Sequence, residues 1–268
     1  MNNGSVRRLA VVTGGSNGIG LELAREFAGN GFDVVVAAED DRLEAAVEAL
    51  RATSAVVHPA RVDLATRDGV EQLYHAVLSV GRPVDALVLN AGIGVGGLFV
   101  ETPLDADLEL IALNVVSVVH LAKLIVPGMV ARKSGRVLVT ASIAGTMPGP
   151  FYATYAASKA FALSFVEAIR HELKDSGVTV TALMPGPTDT DFFRRASMLE
   201  TRVGRMQKDS PAEVAHDGFE ALMAGKDHVI AGSAKNTAQV MGSKILPDRA
   251  KAAMHARLTQ PQNGEQQR

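Results

Sequence analysis

The 268-residue sequence contains no cysteine and no tryptophan, and aromatic residues make up only 4% of it. Without cysteine the chain can form neither a disulfide nor a thiolate metal site, and it has no Cys nucleophile. Its seven histidines are scattered without the spacing of metal ligands, so we expect no metal site. An excess of positive charge is also lacking, since the formal net charge is -2. Nothing in this balance indicates a nucleic acid or an anionic membrane as the partner.

The sequence also shows no segment of the kind that directs a chain out of the cytoplasm. Residues 1–7 form a short N-terminal tail that leads into a strand-like run rather than the apolar core of a secretory signal. We find no apolar run that approaches the ~18 residues needed to cross a bilayer. Because 47% of the residues are hydrophobic and 21% are charged, the composition is that of a globular protein. We therefore expect a soluble, cytoplasmic protein.

Short apolar runs alternate with helical patterns along the chain. The predicted strands are residues 9–13, 34–38, 55–58, 85–90, 135–140, 178–183 and 229–232. Because helices separate them, the fold class is α/β, with a doubly wound parallel sheet in three α/β/α layers. We assign one domain to residues 8–243, including a substrate lid at about 188–210 whose sequence has no clear period. Residues 244–268 form a C-terminal extension, which we expect to be partly frayed.

A glycine-rich loop follows the first predicted strand and precedes a helical pattern. It contains Gly14, Ser16, Asn17, Gly18, Ile19 and Gly20. A strand, a glycine loop and a helix in this order bring backbone N–H groups and a helix N-terminus to a phosphate. Gly14 and Gly18 allow a tight turn close to the ligand, and Gly20 allows the helix to sit close to the strand. The alternative is a glycine-rich turn that binds no ligand.

An acidic group ends the second predicted strand. Glu39 stands where the adenosine ribose of a dinucleotide would lie, and a carboxylate there can accept hydrogen bonds from the 2′-hydroxyl and repel a 2′-phosphate. Asp40 or Asp41 can instead cap the helix that begins at Arg42. Since no arginine stands at positions 17, 38 or 39, the pattern favours NAD over NADP and leaves NADP as the alternative.

Tyr155 and Lys159 are four residues apart in a segment rich in alanine. In a helix this spacing places both side chains on one face, where an ammonium group should favour the phenolate and lower the phenol pKa. Such a pair is suited to proton transfer with an alcohol or a carbonyl, although it also occurs as an exposed polar stripe. Asn114 lies in an apolar part of another predicted helix, where its amide needs a specific partner.

Five motifs occur in order and at suitable intervals. They are the loop from Thr13 to Gly20, Asn90-Ala91-Gly92, Ser142, Tyr155-x-x-x-Lys159 and Pro185-Gly186. Together they resemble the short-chain dehydrogenase/reductase family in its smaller single-domain form, over about residues 8 to 190. The resemblance implies a Rossmann fold that binds NAD or NADP.

The resemblance also implies a role for each motif residue. Tyr155 would be the general acid/base, Ser142 would hydrogen-bond the same substrate oxygen, and Lys159 would lower the Tyr155 pKa and bind the nicotinamide ribose. Asn114 would hold a water in a proton relay through Lys159. The implied cofactor contacts beyond the glycine loop are Asp63 and Leu64 at adenine, Asn90, Ala91 and Gly92 behind the adenosine ribose, and Pro185, Gly186 and Thr188 at the nicotinamide.

These features predict an oxidoreductase that interconverts a secondary alcohol and a ketone on a small, apolar substrate. One alternative is a reductase of carrier-bound 3-oxoacyl chains, which would need a basic entrance for which Arg194 and Arg195 are the candidates. Another is a dinucleotide-binding regulator without chemistry. We expect a homodimer or a homotetramer, and the extension after residue 243 argues against the family's usual tetramer. Ala156, Ala157, Ala160 and Ser164 would permit a dimer through the Asn114 and Tyr155 helices.

Overall fold

A computed structural model describes residues 7–243 and 246–261. Its seven strands are Arg8–Thr13 (β1), Phe32–Ala38 (β2), Val57–Arg61 (β3), Ala86–Leu89 (β4), Gly135–Thr140 (β5), Val178–Pro185 (β6) and His228–Ala231 (β7). They form one sheet in the order β3-β2-β1-β4-β5-β6-β7, and every pair is parallel. The predicted doubly wound parallel sheet is confirmed.

Helices connect the strands and cover both faces of the sheet. They are Gly18–Gly29 (α1), Arg42–Arg51 (α2), Arg67–Ser79 (α3), Leu104–Ile111 (α4), Ser117–Ala131 (α5), Ala153–Glu172 (α6), Phe192–Arg195 (α7), Arg202–Arg205 (α8), Pro211–Met223 (α9), Ala234–Ser243 (α10) and Asp248–Thr259 (α11). A π-helical turn, Ala112–Val116, joins α4 to α5, and a 3-10 turn, Ile143–Thr146, follows β5. The described part of the chain is therefore an α/β/α sandwich.

Two hydrophobic clusters hold the layers together. On one face Val11 and Val35 pack with residues from α3, α5 and α6, such as Leu121 of α5. On the other face Val12 packs with α1, α2 and α9, where the rings of Phe27 and Phe219 meet edge to face at 5.1 Å. Because β1 and β2 are buried on both faces, their sequences are continuous apolar runs rather than alternating ones.

The strand order reverses at β1, which pairs with β2 on one side and with β4 on the other. The connections from β1 and β4 leave the sheet at its carboxyl edge in opposite directions, and they open a crevice between them. Ligands of open α/β sheets bind in such a crevice. The fold thus places the predicted glycine loop and the segment after β4 side by side.

The helix that runs from Leu104 to Ala131 corrects the prediction that the chain has no apolar run long enough to cross a bilayer. An 18-residue window of this helix has a mean hydropathy of 2.0, so by length and composition alone the helix could cross a membrane. The expectation that no apolar run approaches ~18 residues is therefore wrong for this helix. In the structure 44% of the window is buried inside the protein, because Leu121 and other apolar residues of α5 pack on the sheet. A helix in the core of a protein passes the same test of composition.

Several local predictions need correction or addition. Ser210 is the N-cap residue of α9, and its side chain makes no capping hydrogen bond in the described part of the chain. Of the two predicted capping residues of α2, Asp40 accepts a 3.1 Å hydrogen bond from the backbone N–H of Arg42. Asp41 is the N-cap residue, and its side chain makes no capping bond in the described part of the chain. The predicted lid contains α7 and α8, and the C-terminal extension contains α11, which the sequence pattern did not predict. Residues 244, 245 and 262–268 of the extension lie outside the described residues, so the expected fraying there stays a prediction.

Candidate active site

A cavity of about 720 Å³ lies at the carboxyl edge of the sheet. Of the predicted catalytic residues, Ser142, Tyr155 and Lys159 line it, and of the predicted cofactor residues all but Asp63 line it. These lining residues are Gly14, Ser16, Asn17, Gly18, Ile19, Gly20, Glu39, Leu64, Asn90, Ala91, Gly92, Tyr155, Lys159, Pro185, Gly186 and Thr188. Asn114 and Asp63 do not line it, although the neighbouring Leu113, Val62 and Leu64 do.

The glycine loop forms one end of the cavity. Gly14 and Gly18 have φ of +66° and +56°, a conformation that disfavours any side chain. A Cβ on Gly20 would lie 2.1 Å from the carbonyl oxygen of Gly14, so α1 can approach the loop only with glycine there. Asn17 is the N-cap of α1 and makes no side-chain cap bond within the described residues, which leaves the first N–H groups of the helix for a ligand. A dinucleotide pyrophosphate fits this arrangement.

Thr13 holds the segment after β4 against this loop. Its hydroxyl donates to the carbonyl of Val88 at 3.1 Å and accepts from the backbone N–H groups of Asn90 and Ala91 at 2.9 and 3.1 Å. The Asn90 amide in turn donates to the Thr13 carbonyl at 3.0 Å and accepts from the Thr140 hydroxyl at 3.1 Å. These bonds join the ends of three adjacent strands into a rigid floor.

Charged groups surround the end of β2. Asp40 accepts hydrogen bonds from Ser16 at 3.1 Å and from the Arg42 guanidinium at 2.7 Å. Burial alone would raise the pKa of Asp40, but these bonds outweigh it and lower the pKa. Arg42 also pairs with Asp191, which directly precedes α7. Glu39 lies 3.5 Å from the guanidinium of Arg195, so two ion pairs join the lid to the predicted ribose site.

Ser142 and Tyr155 meet on the opposite side of the cavity. Ser142 follows β5, where its hydroxyl caps the 3-10 turn by accepting from Ala144 N–H at 3.1 Å and donates to the Pro185 carbonyl at 3.3 Å. The Ser142 hydroxyl lies close enough to the Tyr155 phenol to favour its ionised form. The two oxygens therefore face the same part of the cavity, as the sequence motif predicts.

The pKa of Tyr155 is raised in this structure, and not lowered as the sequence motif implies. The Lys159 ammonium group lies 5.7 Å from the centre of the Tyr155 ring and donates to the Thr140 carbonyl at 2.8 Å. Burial raises the pKa of Tyr155 to about 12, and the bond to Ser142 offsets only part of that effect. Burial also lowers the pKa of Lys159 to about 8. Desolvation of both groups outweighs their mutual influence, which the spacing along the helix could not reveal.

Asn114 lies in the π-helical turn, 3% exposed, behind the cavity wall. Its side-chain amide donates to the carbonyl of Ile93 at 2.9 Å and accepts from the Ile93 N–H at 3.0 Å. It also donates to the Ser158 hydroxyl at 3.1 Å. Gly92 leaves room for this contact, since a Cβ there would lie 3.1 Å from the Asn114 oxygen. The apolar surroundings of Asn114 are thus explained by a specific backbone partner.

Sequence reasoning missed an aromatic group around Tyr155. The Tyr155 ring stacks on Tyr152 at 5.7 Å and contacts Phe192 of α7 at 5.0 Å. The Tyr152 hydroxyl lies 2.5 Å from Nε2 of His255, which comes from α11, and both residues line the cavity. The helix-forming composition of Asp248–Thr259 after a proline is a signal that could have found α11, but no sequence pattern shows where it packs.

Known short-chain dehydrogenases are similar to this chain in sequence. The family model for short chain dehydrogenases matches residues 8–200. A short chain dehydrogenase of Pseudocercospora fijiensis is 35% identical over 188 residues, 69% of this chain and 61% of that protein. The chain thus spans less than two thirds of that relative's length.

Solved structures of short-chain dehydrogenases have the same fold as this chain. A short-chain dehydrogenase from Sphingobium yanoikuyae in complex with NADPH has a TM-score of 0.79 and 26% identity, over 88% of this chain and 93% of that one. A short chain dehydrogenase/reductase from Burkholderia phymatum in complex with NAD has the same TM-score and identity, over 88% and 92%. The chain belongs to the short-chain dehydrogenase/reductase family, a family of NAD(P)-dependent oxidoreductases.

Proposed function

We propose that this protein interconverts a secondary alcohol and a ketone, with Tyr155 as the general acid/base. The observation that carries the proposal is the meeting of the Tyr155 and Ser142 hydroxyls in the same cavity as the glycine loop of α1. A bound nicotinamide dinucleotide would supply the hydride. The residues that would hold it are those of the glycine loop, Asn90 to Gly92, and Pro185 to Thr188.

In the reducing direction Tyr155 donates its phenolic proton to the carbonyl oxygen of the substrate. Its raised pKa keeps that proton in place at neutral pH, so the acid form is available without a further step. Ser142 donates a hydrogen bond to the same oxygen and fixes its direction. Asn114 supports the wall of the site from behind, because its amide is bonded to Ile93 and Ser158.

The cofactor that we propose is NAD, through the carboxylates at the end of β2. Glu39 lines the cavity, and Asp40 lies beside it with a lowered pKa, so both groups oppose a 2′-phosphate. Arg195, whose charge would favour NADP, also lines the cavity, but it is paired with Glu39. Fluorescence titration with NADH and NADPH tests this choice. Tighter NADH binding, reversed in Glu39→Arg, is expected, whereas equal affinity for both in the wild type would remove the role of Glu39.

The substrate that we propose is apolar. Ala144, Tyr152, Phe193, Ala196 and Met198 form a separate hydrophobic cluster between the lid and the loop after β5, and Tyr155 packs against it. Most of these residues also line the cavity. A ketone with hydrocarbon substituents would bury its surface there.

Substitution of Tyr155 by Phe tests the proposed reaction. The variant keeps the ring and its stacking contacts, so we expect turnover of a responsive ketone to fall by roughly 10²–10⁴-fold while NADH affinity stays unchanged. Tyr74→Phe, on α3 and away from the cavity, is the matched control and should behave as the wild type. Wild-type turnover in Tyr155→Phe would discard the proposed acid/base.

The carrier-bound alternative receives no support from the charge at the cavity entrance. Arg194 is paired with Asp191, and Arg195 with Glu39, so the two candidate cations already have carboxylate partners. A regulator without chemistry remains distinguishable, since it would bind NADH and turn over no carbonyl compound in a broad panel. The catalytic set of Ser142, Tyr155 and Lys159 favours the enzyme.

We also propose that the protein is a homodimer through the outer face of α5 and α6. Ala157, Ala160 and Ser164 are exposed on α6, and Val116 is 56% exposed at the start of α5. Ala156, which we expected on this face, is instead buried near Gly149. Sedimentation velocity should find a dimer, and Ala160→Arg should convert it to a monomer, whereas a wild-type monomer would discard the interface.

A further inference from the structure

Helix α11 closes one side of the cavity by bonding the loop that precedes α6. His255 Nδ1 lies 3.0 Å from the carbonyl oxygen of Pro148, and the Thr259 hydroxyl donates to the carbonyl of Pro150 at 2.8 Å. Both α11 residues are buried, with 6% and 2% of their surface exposed. The last helix of the described chain is therefore tied to the loop that leads into the Tyr155 helix.

These contacts fix the tautomer of His255. A carbonyl oxygen only accepts hydrogen bonds, so Nδ1 carries the proton that bonds Pro148. Burial lowers the pKa of His255 and keeps the ring neutral, which leaves Nε2 as an acceptor. The Tyr152 hydroxyl therefore donates to Nε2, at 2.5 Å, and the two rings meet edge to face at 5.2 Å. Every polar atom of the imidazole is used in holding this loop.

The loop reaches the reacting group through Tyr152. Phe151 has a φ of +63°, a conformation that costs a non-glycine residue roughly 1–2 kcal/mol and needs support from its surroundings. The next residue, Tyr152, stacks on Tyr155 at 5.7 Å with an angle of 23° between the rings. Tyr155 also contacts Phe192 at 5.0 Å. The Tyr155 ring thus contacts both a lid residue and a ring that His255 anchors.

We propose that His255 is a positioning residue for the carbonyl reaction, which holds the Tyr152 hydroxyl and thereby fixes the Tyr155 ring with its hydroxyl beside Ser142. The inference rests on the proposed function of Tyr155. It assigns to α11 a part in the reaction itself, beyond closing the substrate side of the cavity. His255 acts through Tyr152, because its ring nitrogens are bonded to Tyr152 and Pro148.

The first test compares His255→Phe with His255→Gln in the full-length protein. Phe keeps a ring without either nitrogen, so we expect kcat for a responsive ketone to fall about 10- to 100-fold while KM for NADH stays near that of the wild type. Gln keeps an acceptor within reach of Tyr152 and should recover much of that loss. Thr259→Val removes the other bond from α11 to the loop and should keep a kcat close to the wild type. An equal loss in Thr259→Val would overturn the inference, because docking of α11 would then be the whole effect.

Tyr152→Phe removes the hydroxyl that bonds His255 Nε2 and leaves His255 in place. It therefore tests the same hydrogen bond if a His255 variant fails to fold. It should lower kcat as much as His255→Phe, and the double variant should be no slower than either single one. Additive losses would overturn the inference. Thermal unfolding and NADH fluorescence of each apoprotein report folding and cofactor binding without turnover. If the wild type reduces no ketone, the proposed function is wrong. If the wild type reduces ketones and His255→Phe is equally active, only the proposed role of His255 is wrong.

Discussion

Lys159 donates a 2.8 Å hydrogen bond to the carbonyl oxygen of Thr140, the last residue of β5. Its side chain is buried, and among the described residues no carboxylate lies within 4 Å of its ammonium group. The protein thus holds a cation in its interior, and burial lowers the Lys159 pKa to about 8. We propose that this ammonium group binds ribose hydroxyls of the cofactor, and its burial lowers the stability of the protein.

The first prediction concerns the pH dependence of stability. The folded pKa of Lys159, about 8, lies below its ordinary value of 10.5, so between these values the unfolded chain binds the proton more tightly. The free energy of unfolding therefore rises with pH in this window, and the full cost of the buried charge is present below pH 8. In Lys159→Met this dependence is absent. Urea titrations at pH 7 and pH 10 should show the wild type gaining on the order of 3 kcal/mol relative to the variant; a constant difference would contradict the buried ammonium.

The second prediction compares two glycines of α1. In Gly20→Ala the added methyl group would lie 2.1 Å from the Gly14 carbonyl oxygen, so the glycine loop must move and NADH affinity should fall at least tenfold. Gly29→Ala meets no atom within 4 Å and should leave NADH binding unchanged, with equal or slightly higher stability. Isothermal titration with NADH and thermal unfolding measure both effects. Wild-type binding by Gly20→Ala would argue against the phosphate role of the loop.

The third prediction concerns the π-helical turn. Asn114→Ala leaves the buried N–H and carbonyl of Ile93 without their partner, so we expect a loss of about 1–3 kcal/mol in the free energy of unfolding. Turnover should also fall, because the wall beside Gly92 loses its support. Asn30→Ala, at the exposed end of α1, removes a hydrogen bond from the side-chain amide to the Glu26 carbonyl, and the free energy of unfolding should fall by less than about 1 kcal/mol. An equal loss of unfolding free energy in the two variants would show that the buried Asn114 bonds stabilise the protein no more than an exposed bond does.

The fourth prediction concerns the ion pairs between the lid and the end of β2. Arg42→Ala removes the guanidinium group that pairs with both Asp40 and Asp191. Because these ion pairs are partly exposed, the free energy of unfolding should fall by no more than about 1 kcal/mol. The lid should open more often, so stopped-flow fluorescence should find faster NADH release. High salt should accelerate release from the wild type and affect the variant less, because salt screens partly exposed charges. Identical release rates in both proteins at low salt would refute this coupling.

The sequence predicts this fold well because the parts that decide it are local. The run from residue 9 to residue 20 contains a strand, a turn and a helix start, and the two β1 neighbours repeat the same apolar pattern. Ser142, Tyr155 and Lys159 meet because two segments end at the same edge of the sheet. The residues of these motifs therefore lie together at the carboxyl edge of the sheet.

The features that the sequence did not reveal depend on contacts between distant segments. The Tyr152 and His255 bond joins residues 103 positions apart, and the pairing of Glu39 with Arg195 depends on how the lid folds back. The pKa of Tyr155 follows from burial, which spacing along α6 cannot measure. Asp63 lies outside the cavity because its carboxylate accepts the Ala65 N–H at 2.8 Å, where it orders the turn into α3.

The central strand also sets the order in which the chain can fold. Thr13 of β1 bonds the carbonyl of Val88, 75 positions later, and Leu9 bonds the Asp85 side chain across 76 positions. The pairing of β1 with β4 therefore cannot form until the chain has been synthesised through Leu89. Such long-range pairing slows folding compared with helical proteins of similar size. The amide hydrogens of β1 and β4 should accordingly be among the last to exchange with heavy water.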